Sequence, residues 1–273
     1  MSPSYRLDAS ERRDLEEGGF VLRRNVFDAP ELVAIRTACE ALVLRLLAEK
    51  RHRKLSVGSY NFELQRDLGT VVKWEPGDID VVQGVEPFAH LSEELNRWAH
   101  DPRLLGPCKD VVGSDEVILF TEKLNLKRAQ KGGPIVLHQD FPYWMNLTPV
   151  AGRIATAMLF LDDATREKGC LEVVPGSHRE GMQQRRSVEG FGSLEIDPEG
   201  YDTSRLVPLE VSAGAVAFFG PFLVHRSPPN RSGDDRRALL YSYQPPGNPH
   251  SRELTGLARK PEMQSGKSAR TDE

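Results

Sequence analysis

The chain has 273 residues, 39% of them hydrophobic and 28% charged, and a net charge of −4. That composition suits a globular chain with a sizeable core, in one large domain or at most two, and the charge argues against nucleic acid or a membrane surface as the main partner. Three scattered cysteines, Cys39, Cys108 and Cys170, make neither a disulfide framework nor a ligand spacing. No apolar run approaches the ~18 residues of a membrane span, and the opening Met-Ser-Pro-Ser-Tyr-Arg-Leu-Asp lacks the apolar stretch of a signal peptide. The expected location is therefore the cytoplasm, with reduced thiols.

In chain order, Ala9-Ser10 followed by Glu11 reads as the capped start of a short helix that Gly18-Gly19 ends. Ala29-Pro30-Glu31 opens a long amphipathic helix running to about Lys50, because Leu32, Ile35, Cys39, Leu42, Val43, Leu46 and Leu47 recur at helical spacing. The basic cluster Lys50-Arg51-His52-Arg53-Lys54 reads as a solvated helix end favoured by the dipole, with an anion-binding edge as the alternative. Residues 56–115 have mixed polarity, a helix around Leu91–Trp98 and no decodable motif. Lys73 there is an exposed strand lysine or a ligand for an acidic group.

The segment 116–127 reads as a strand through its alternation. Ile118, Phe120, Leu124 and Leu126 share one face, interrupted by Glu122, while Thr121, Lys123, Asn125 and Lys127 share the other, which is expected to face solvent. A second strand covers 153–161 and carries Thr156, an ordinary residue in a strand. Val211 to Gly220 reads as a strand end, a tight turn at Ala213-Gly214 and a further strand that delivers His225. After a loop rich in Pro, Asn and Gly, a strand begins at Arg236 and sets that side chain on one face with Ala238, Leu240 and Ser242. From Gly247 the sequence is polar with few aromatics, and is expected to be disordered or a lid.

His138-Gln139-Asp140 with the distant His225 carries the chemistry. Two imidazoles and one carboxylate make the facial triad that leaves about three open positions on a ferrous ion, whereas a structural site would be closed by four ligands and would usually recruit cysteine. The spacing alone also matches many chains by chance. Phe141, Tyr143 and Trp144 follow Asp140 directly, either as packing for the loop after the metal strand or as a substrate wall able to hold an amphipathic, even cationic, small molecule. His52, His90, His100 and His250 have no partner at telling spacing and read as surface or packing residues.

The chain resembles the phytanoyl-CoA dioxygenase family of iron(II), 2-oxoglutarate-dependent oxygenases. The resemblance rests on Gly18-Gly19-Phe20-Val21-Leu22, His138-Gln139-Asp140, Gly169-Cys-Leu-Glu-Val-Val-Pro-Gly-Ser-His178 and the run from His225 through Ser227 and Asn230 to Arg236. It implies a mainly β fold with flanking helices, the double-stranded β-helix or jelly roll. The implied domain covers 1–247, with a helical part to 55, a substrate-facing region 56–115 and a jelly-roll core 116–247, followed by the tail 248–273. It further implies His138, Asp140 and His225 as ligands of Fe(II), with 2-oxoglutarate and O2 as co-substrates. Arg236 would grip the distal carboxylate of 2-oxoglutarate, a task that suits a guanidinium fork better than a lysine, with a hydroxyl donor from Ser227. Asn125 and Thr156 are further co-substrate candidates, and His178 is a structural residue of the turn motif.

Family members that halogenate lack the carboxylate, so Asp140 points to hydroxylation of a small-molecule C–H bond with loss of CO2 to give succinate. Desaturation, ring closure and epimerisation use the same oxidant and stay open. Two other classes are weighed. A non-catalytic jelly-roll sensor would have a broken triad or no arginine, and a zinc or manganese cupin would need further histidines near His138.

Overall fold

Two capping boxes start the N-terminal helices in this computed structural model, which describes residues 5–49, 54–57, 60–188 and 191–257. Asp8 accepts from the amides of Ser10 and Glu11 at the head of α1 (Ala9–Gly18), one residue earlier than the sequence suggests, and the Glu11 side chain closes the box. Gly19 ends α1 with φ +85°, and a Cβ there would lie 2.3 Å from Nδ1 of His178. Asp28 and Glu31 cap α2 (Ala29–Ala48) in the same way, with Pro30 in the first turn. Its predicted stripe is buried at Leu32, Ile35, Cys39, Leu42, Val43 and Leu46. At roughly 1.5–3 kcal/mol for a fully buried aliphatic side chain, this stripe docks the helix. The basic cluster falls on residues 50–53, outside the described residues, and on the first residue of a strand.

The strands are β1 (Phe20–Arg23), β2 (Lys54–Val57), β3 (Tyr60–Gln65), β4 (Thr70–Glu75), β5 (Asp78–Glu86), β6 (Ile118–Lys127), β7 (Ile135–His138) and β8 (Ala155–Phe160). There follow β9 (Leu171–Val173), β10 (Arg185–Val188), β11 (Phe191–Ile196), β12 (Val207–Leu209), β13 (Val216–Phe219), β14 (His225–Ser227) and β15 (Arg236–Gln244). They pair antiparallel in a nine-stranded sheet, β1-β13-β8-β15-β6-β5-β4-β3-β2, and a six-stranded sheet, β10-β11-β7-β14-β9-β12. Two facing antiparallel sheets with helices on the outside make the jelly roll that the resemblance implies. The unreadable stretch 56–115 supplies most of β2 to β5, then α3 (Glu93–Trp98) and α4 (Pro102–Val112).

β15 separates the two cores. Leu239, Tyr241 and Tyr243 face the helices, where the tyrosine hydroxyls donate to Leu95 O and Ala99 O at 2.7 and 2.8 Å. Ala238 faces the space between the sheets, with Met158, Phe160, Ala217 and Phe219. Around the rim, Glu40 of α2 binds both Arg128 and Arg237, and Arg237 also binds Asp162. Two short α-helices complete the described residues, α5 (Phe141–Trp144) and α6 (Ser251–Leu254). The first part of the polar tail is thus ordered through Leu257, and its remainder, 258–273, lies outside the described residues.

Candidate active site

β7 and β14 pair so that His138 and His225 are direct cross-strand partners, with ring centroids 4.1 Å apart. Each ring is held by the carbonyl two residues before it: His138 Nδ1 lies 2.7 Å from Val136 O and His225 Nδ1 lies 2.9 Å from Leu223 O. A carbonyl only accepts, so Nδ1 carries the hydrogen and Nε2 keeps its lone pair for a ligand. Asp140, where β7 turns into α5, brings Oδ1 to 3.8 Å from His138 Nε2, and the ligand atoms of His138, Asp140 and His225 all lie within 4.8 Å of one another. Burial, then the neighbouring His225, hold His138 well below the ordinary imidazole range, while burial raises the Asp140 carboxyl. Neutral nitrogens converging with a desolvated carboxylate fit a divalent cation, whose charge offsets that desolvation. Among the described residues this is the one group of three such side chains close enough to share an ion.

Gln139, between the two ligands, was not anticipated as a site residue. It is 1% exposed, and its amide donates to Gly181 O and Phe222 O while its carbonyl oxygen accepts from Gln183 N. It ties the metal strand to the two loops beside it. Side-chain alternation on an extended segment, which sends Gln139 away from the metal, was the available signal.

Arg236 is wholly buried, and its Nη2 donates to Gly169 O at 2.6 Å and to Ser227 Oγ at 2.8 Å. Its Nε and Nη1 have no partner among the described residues. Burial pulls this guanidinium down to about 10, and no carboxylate is bonded to it. An orphaned buried cation edging a cavity fits the carboxylate of a bound acid. The expectation for Ser227 changes: its hydroxyl donates to Gly169 O at 2.8 Å, so it holds Arg236 and leaves that proton committed. Gly169 allows this through φ +67°, where a Cβ would come within 2.1 Å of Pro228 O.

His138, Asp140, His225, Ser227 and Arg236 line one cavity of about 350 Å³ between the sheets. Its floor is laid out in cross-strand rows. Lys73, Gly84, Asn125 and Ala238 are successive register partners, and Glu86 on β5, two residues on from Gly84, reaches Lys123 of β6 with a 3.0 Å ion pair. Asn125 therefore lines the cavity. So does Lys73, which is not a solvated strand lysine: burial, then Lys123, pull it down to about 7. The polar face of β6 meets this cavity rather than solvent, with Thr121 and Lys127 buried. Lys127 donates to Gly133 O, Ser227 O and Pro228 O.

Thr156 is not among the lining residues. It is buried in the sheet with its hydroxyl 2.9 Å from Ser242 Oγ. Tyr143 and Trp144 line the cavity, whereas Phe141 stacks on Phe222 at 4.4 Å, so the three aromatics divide between wall and packing. His178 packs against Gly19 as a structural residue, and His90 contacts Leu68 O. His250 differs from the expectation of a partnerless surface residue, because its Nε2 lies 3.0 Å from the buried carboxylate of Glu122.

Comparison with known proteins agrees with this geometry. The family model of phytanoyl-CoA dioxygenase (PhyH) matches residues 15–238. Ectoine dioxygenase of Bordetella bronchiseptica is 25% identical over 94% of this chain and 81% of its own length. L-proline trans-4-hydroxylase of Streptomyces griseoviridis is 31% identical over 60% of this chain and 67% of its own. With a phytanoyl-CoA dioxygenase domain-containing protein of Danio rerio the match, 30% identical, spans 56% of this chain and about half, 53%, of that relative. The crystal structure of EctD from S. alaskensis with 2-oxoglutarate and 5-hydroxyectoine shares the fold, with TM-score 0.68 and 21% identity over 91% of this chain and 79% of that one. The chain belongs to the phytanoyl-CoA dioxygenase family of iron(II), 2-oxoglutarate-dependent oxygenases.

Proposed function

We propose that this chain is an Fe(II)- and 2-oxoglutarate-dependent dioxygenase that hydroxylates a C–H bond of a small-molecule metabolite. The observation that carries this is the meeting, in one buried cavity, of the His138–Asp140–His225 group with a guanidinium that has two unpaired nitrogens. A ligand-sensing jelly roll would need neither. The relatives described as L-proline trans-4-hydroxylase and ectoine dioxygenase support a small-molecule substrate.

When bound, iron with 2-oxoglutarate and O2 supplies a two-electron oxidation in which one oxygen atom enters the substrate and the other leaves in succinate, with CO2 released. The chain's own residues bind, orient and exclude water. His138 and His225 would hold the metal through Nε2, each fixed by its carbonyl partner, and Asp140 would add the third ligand. Arg236, steadied by Ser227 and Gly169 O, would orient the distal carboxylate of 2-oxoglutarate through the nitrogens now without partners. Asn125 is one cross-strand step from Ala238 and offers an amide to the same co-substrate.

Phe62, Val71, Trp144, Leu147 and Leu257 give the cavity a largely apolar wall that favours an amphipathic substrate and keeps water out. Lys123 is ion-paired with Glu86 in the lining and burial pulls Lys73 down to about 7, so charge in this wall favours neither a cationic nor an anionic substrate.

Anaerobic titration with Fe(II) and 2-oxoglutarate tests the reading. A weak visible charge-transfer band in the wild type that is lost in Arg236→Ala is expected, followed by succinate release with a matching metabolite. A folded, iron-loaded wild type without that band would overturn the oxygenase reading in favour of a binding protein.

A further inference from the structure

Glu122 interrupts the apolar face of β6, and neither the metal centre nor the co-substrate cradle uses it. Its carboxylate is fully buried and accepts from the amides of Phe88 and Ala89 at 2.8 and 2.6 Å. Its other oxygen meets His250 Nε2 at 3.0 Å. The opposite ring nitrogen, Nδ1, accepts from Arg252 N at 3.1 Å as the N-cap of α6, so Nε2 carries the hydrogen and donates to Glu122. One buried carboxylate thus joins two segments that both wall the cavity. Glu86-Pro87 leads into the first, and Ser251, Thr255 and Leu257 belong to the second.

This second segment is lightly held. A helix of four residues, Ser251–Leu254, has almost no stability of its own. It rests on the Glu122 bond, on Leu254 against the Phe120 and Trp144 cluster, and on Leu257, whose carbonyl oxygen passes within 2.7 Å of where a Gly69 Cβ would stand. Before it lies Pro245-Pro246-Gly247-Asn248-Pro249, where Gln244 Nε2 donates to Asn248 O and Pro249 O, so the segment leaves a fixed base and turns at Gly247, φ +85°. The family match ends at residue 238, so this wall lies beyond the part of the chain that the family defines.

We infer that residues 250–257 are a movable wall of the substrate cavity, held shut by the Glu122–His250 hydrogen bond, with Leu257 the side chain it sets against the substrate. The segment pivots after Pro249, where the bonds from Gln244 end, and opening uncovers the cavity from the side of Ser251 and Leu257. This rests on the cavity being the substrate site, as proposed above.

Thiol labelling tests the wall without iron or turnover. Cys39, Cys108 and Cys170 are buried, and burial pushes their thiols up, Cys39 to about 12 and Cys170 to about 11, so they react slowly. Ser251→Cys is near-isosteric at a position 8% exposed, and Leu257→Cys reports from one that is 7% exposed. With Ellman's reagent on the full chain, each thiol is expected to react slowly alone and at least tenfold faster when His250→Ala is added. Glu122→Gln is expected to do the same. Should that buried substitution prevent folding, His250→Asn, which keeps an N-cap acceptor for Arg252 N but lacks the ring nitrogen that meets Glu122, decides the matter at a side chain 23% exposed. Equal rates with and without the latch, or fast labelling in both, would overturn the inference. Normal labelling behaviour in a protein that gives no charge-transfer band would instead overturn only the oxygenase reading.

Discussion

His138 and His225 are direct partners in an antiparallel strand pair, with ring centroids 4.1 Å apart and both Nδ1 atoms bonded to backbone carbonyls two residues before them. This arrangement fixes the tautomer of both rings through main chain alone, so the metal-binding nitrogens are set before any ion arrives. The expected consequence is thermal stabilisation by mass action. Fe(II) at about 100 times its dissociation constant is worth roughly 2.7 kcal/mol. Anaerobic melting curves should show the shift for wild type and lose it for His225→Ala, while an equal shift in both would remove His225 from the metal site.

The Arg236 cradle gives a prediction of opposite sign. A buried cation with no carboxylate bonded to it is costly to the ligand-free protein, and Ser227 Oγ goes on satisfying Gly169 O if the arginine is gone. Arg236→Met should therefore raise the melting stability of the ligand-free chain by about 1 kcal/mol while abolishing the stabilisation that 2-oxoglutarate gives wild type. Loss of stability in the variant would mean that the two hydrogen bonds of Nη2 outweigh the burial of its charge.

What could be read in the sequence follows from how local each signal is. His138, Asp140, His225 and Arg236 sit at strand ends next to turn residues, and a strand's period of two fixes which neighbours share their face. That period does not say what lies opposite. The polar face of β6 therefore looked solvated, although Lys123 and Asn125 line a cavity and Thr121 and Lys127 are buried, and Lys73 shared this ambiguity. Glu63 and Gln65 of β3 are buried polar residues bonded to each other, and they blur the alternation that would have announced β3. The Glu122–His250 contact spans a sequence separation of 128 residues, so only the folded chain brings the pair together.

The rim network makes the fold sensitive to acid at a known place. The Arg128 guanidinium beside Glu40, bonded at 2.8 Å, holds its carboxyl below the ordinary glutamate range, against the opposing effect of burial, and Arg237 adds to this. A folded-state value below the unfolded one, about 4.3, means that the contribution is present above that pH and is lost as pH falls through the lower folded value. Glu40 is about a third exposed, so solvent screening keeps the effect under about 1 kcal/mol. Glu40→Gln should lower stability at pH 7 and flatten the decline below about pH 4.3 in denaturant titrations run at several pH values. Parallel wild-type and variant curves through that window would show that α2 is docked by its apolar stripe alone.

Gln139 offers the sharpest separation of positioning from ligation. It touches no metal ligand atom, yet its side chain makes three hydrogen bonds, two given and one accepted, to the loops at Gly181–Gln183 and Phe222. Leucine has a similar volume but takes the donor from Phe222 O and the acceptor from Gln183 N, while Gly181 O keeps the Gln183 side-chain amide at 3.3 Å, at roughly 1–3 kcal/mol for each group left unsatisfied. Glutamate is worse, because a carboxylate would face two carbonyl oxygens with nothing to donate. Iron affinity should therefore fall in the order wild type, Gln139→Leu, Gln139→Glu, by about 10- to 100-fold in the first step. Equilibrium competition with a chelator measures that order, and circular dichroism separates weakened binding from unfolding. Unchanged affinity in a folded Gln139→Leu protein would show that the strand pairing of His138 with His225 positions the ligands unaided.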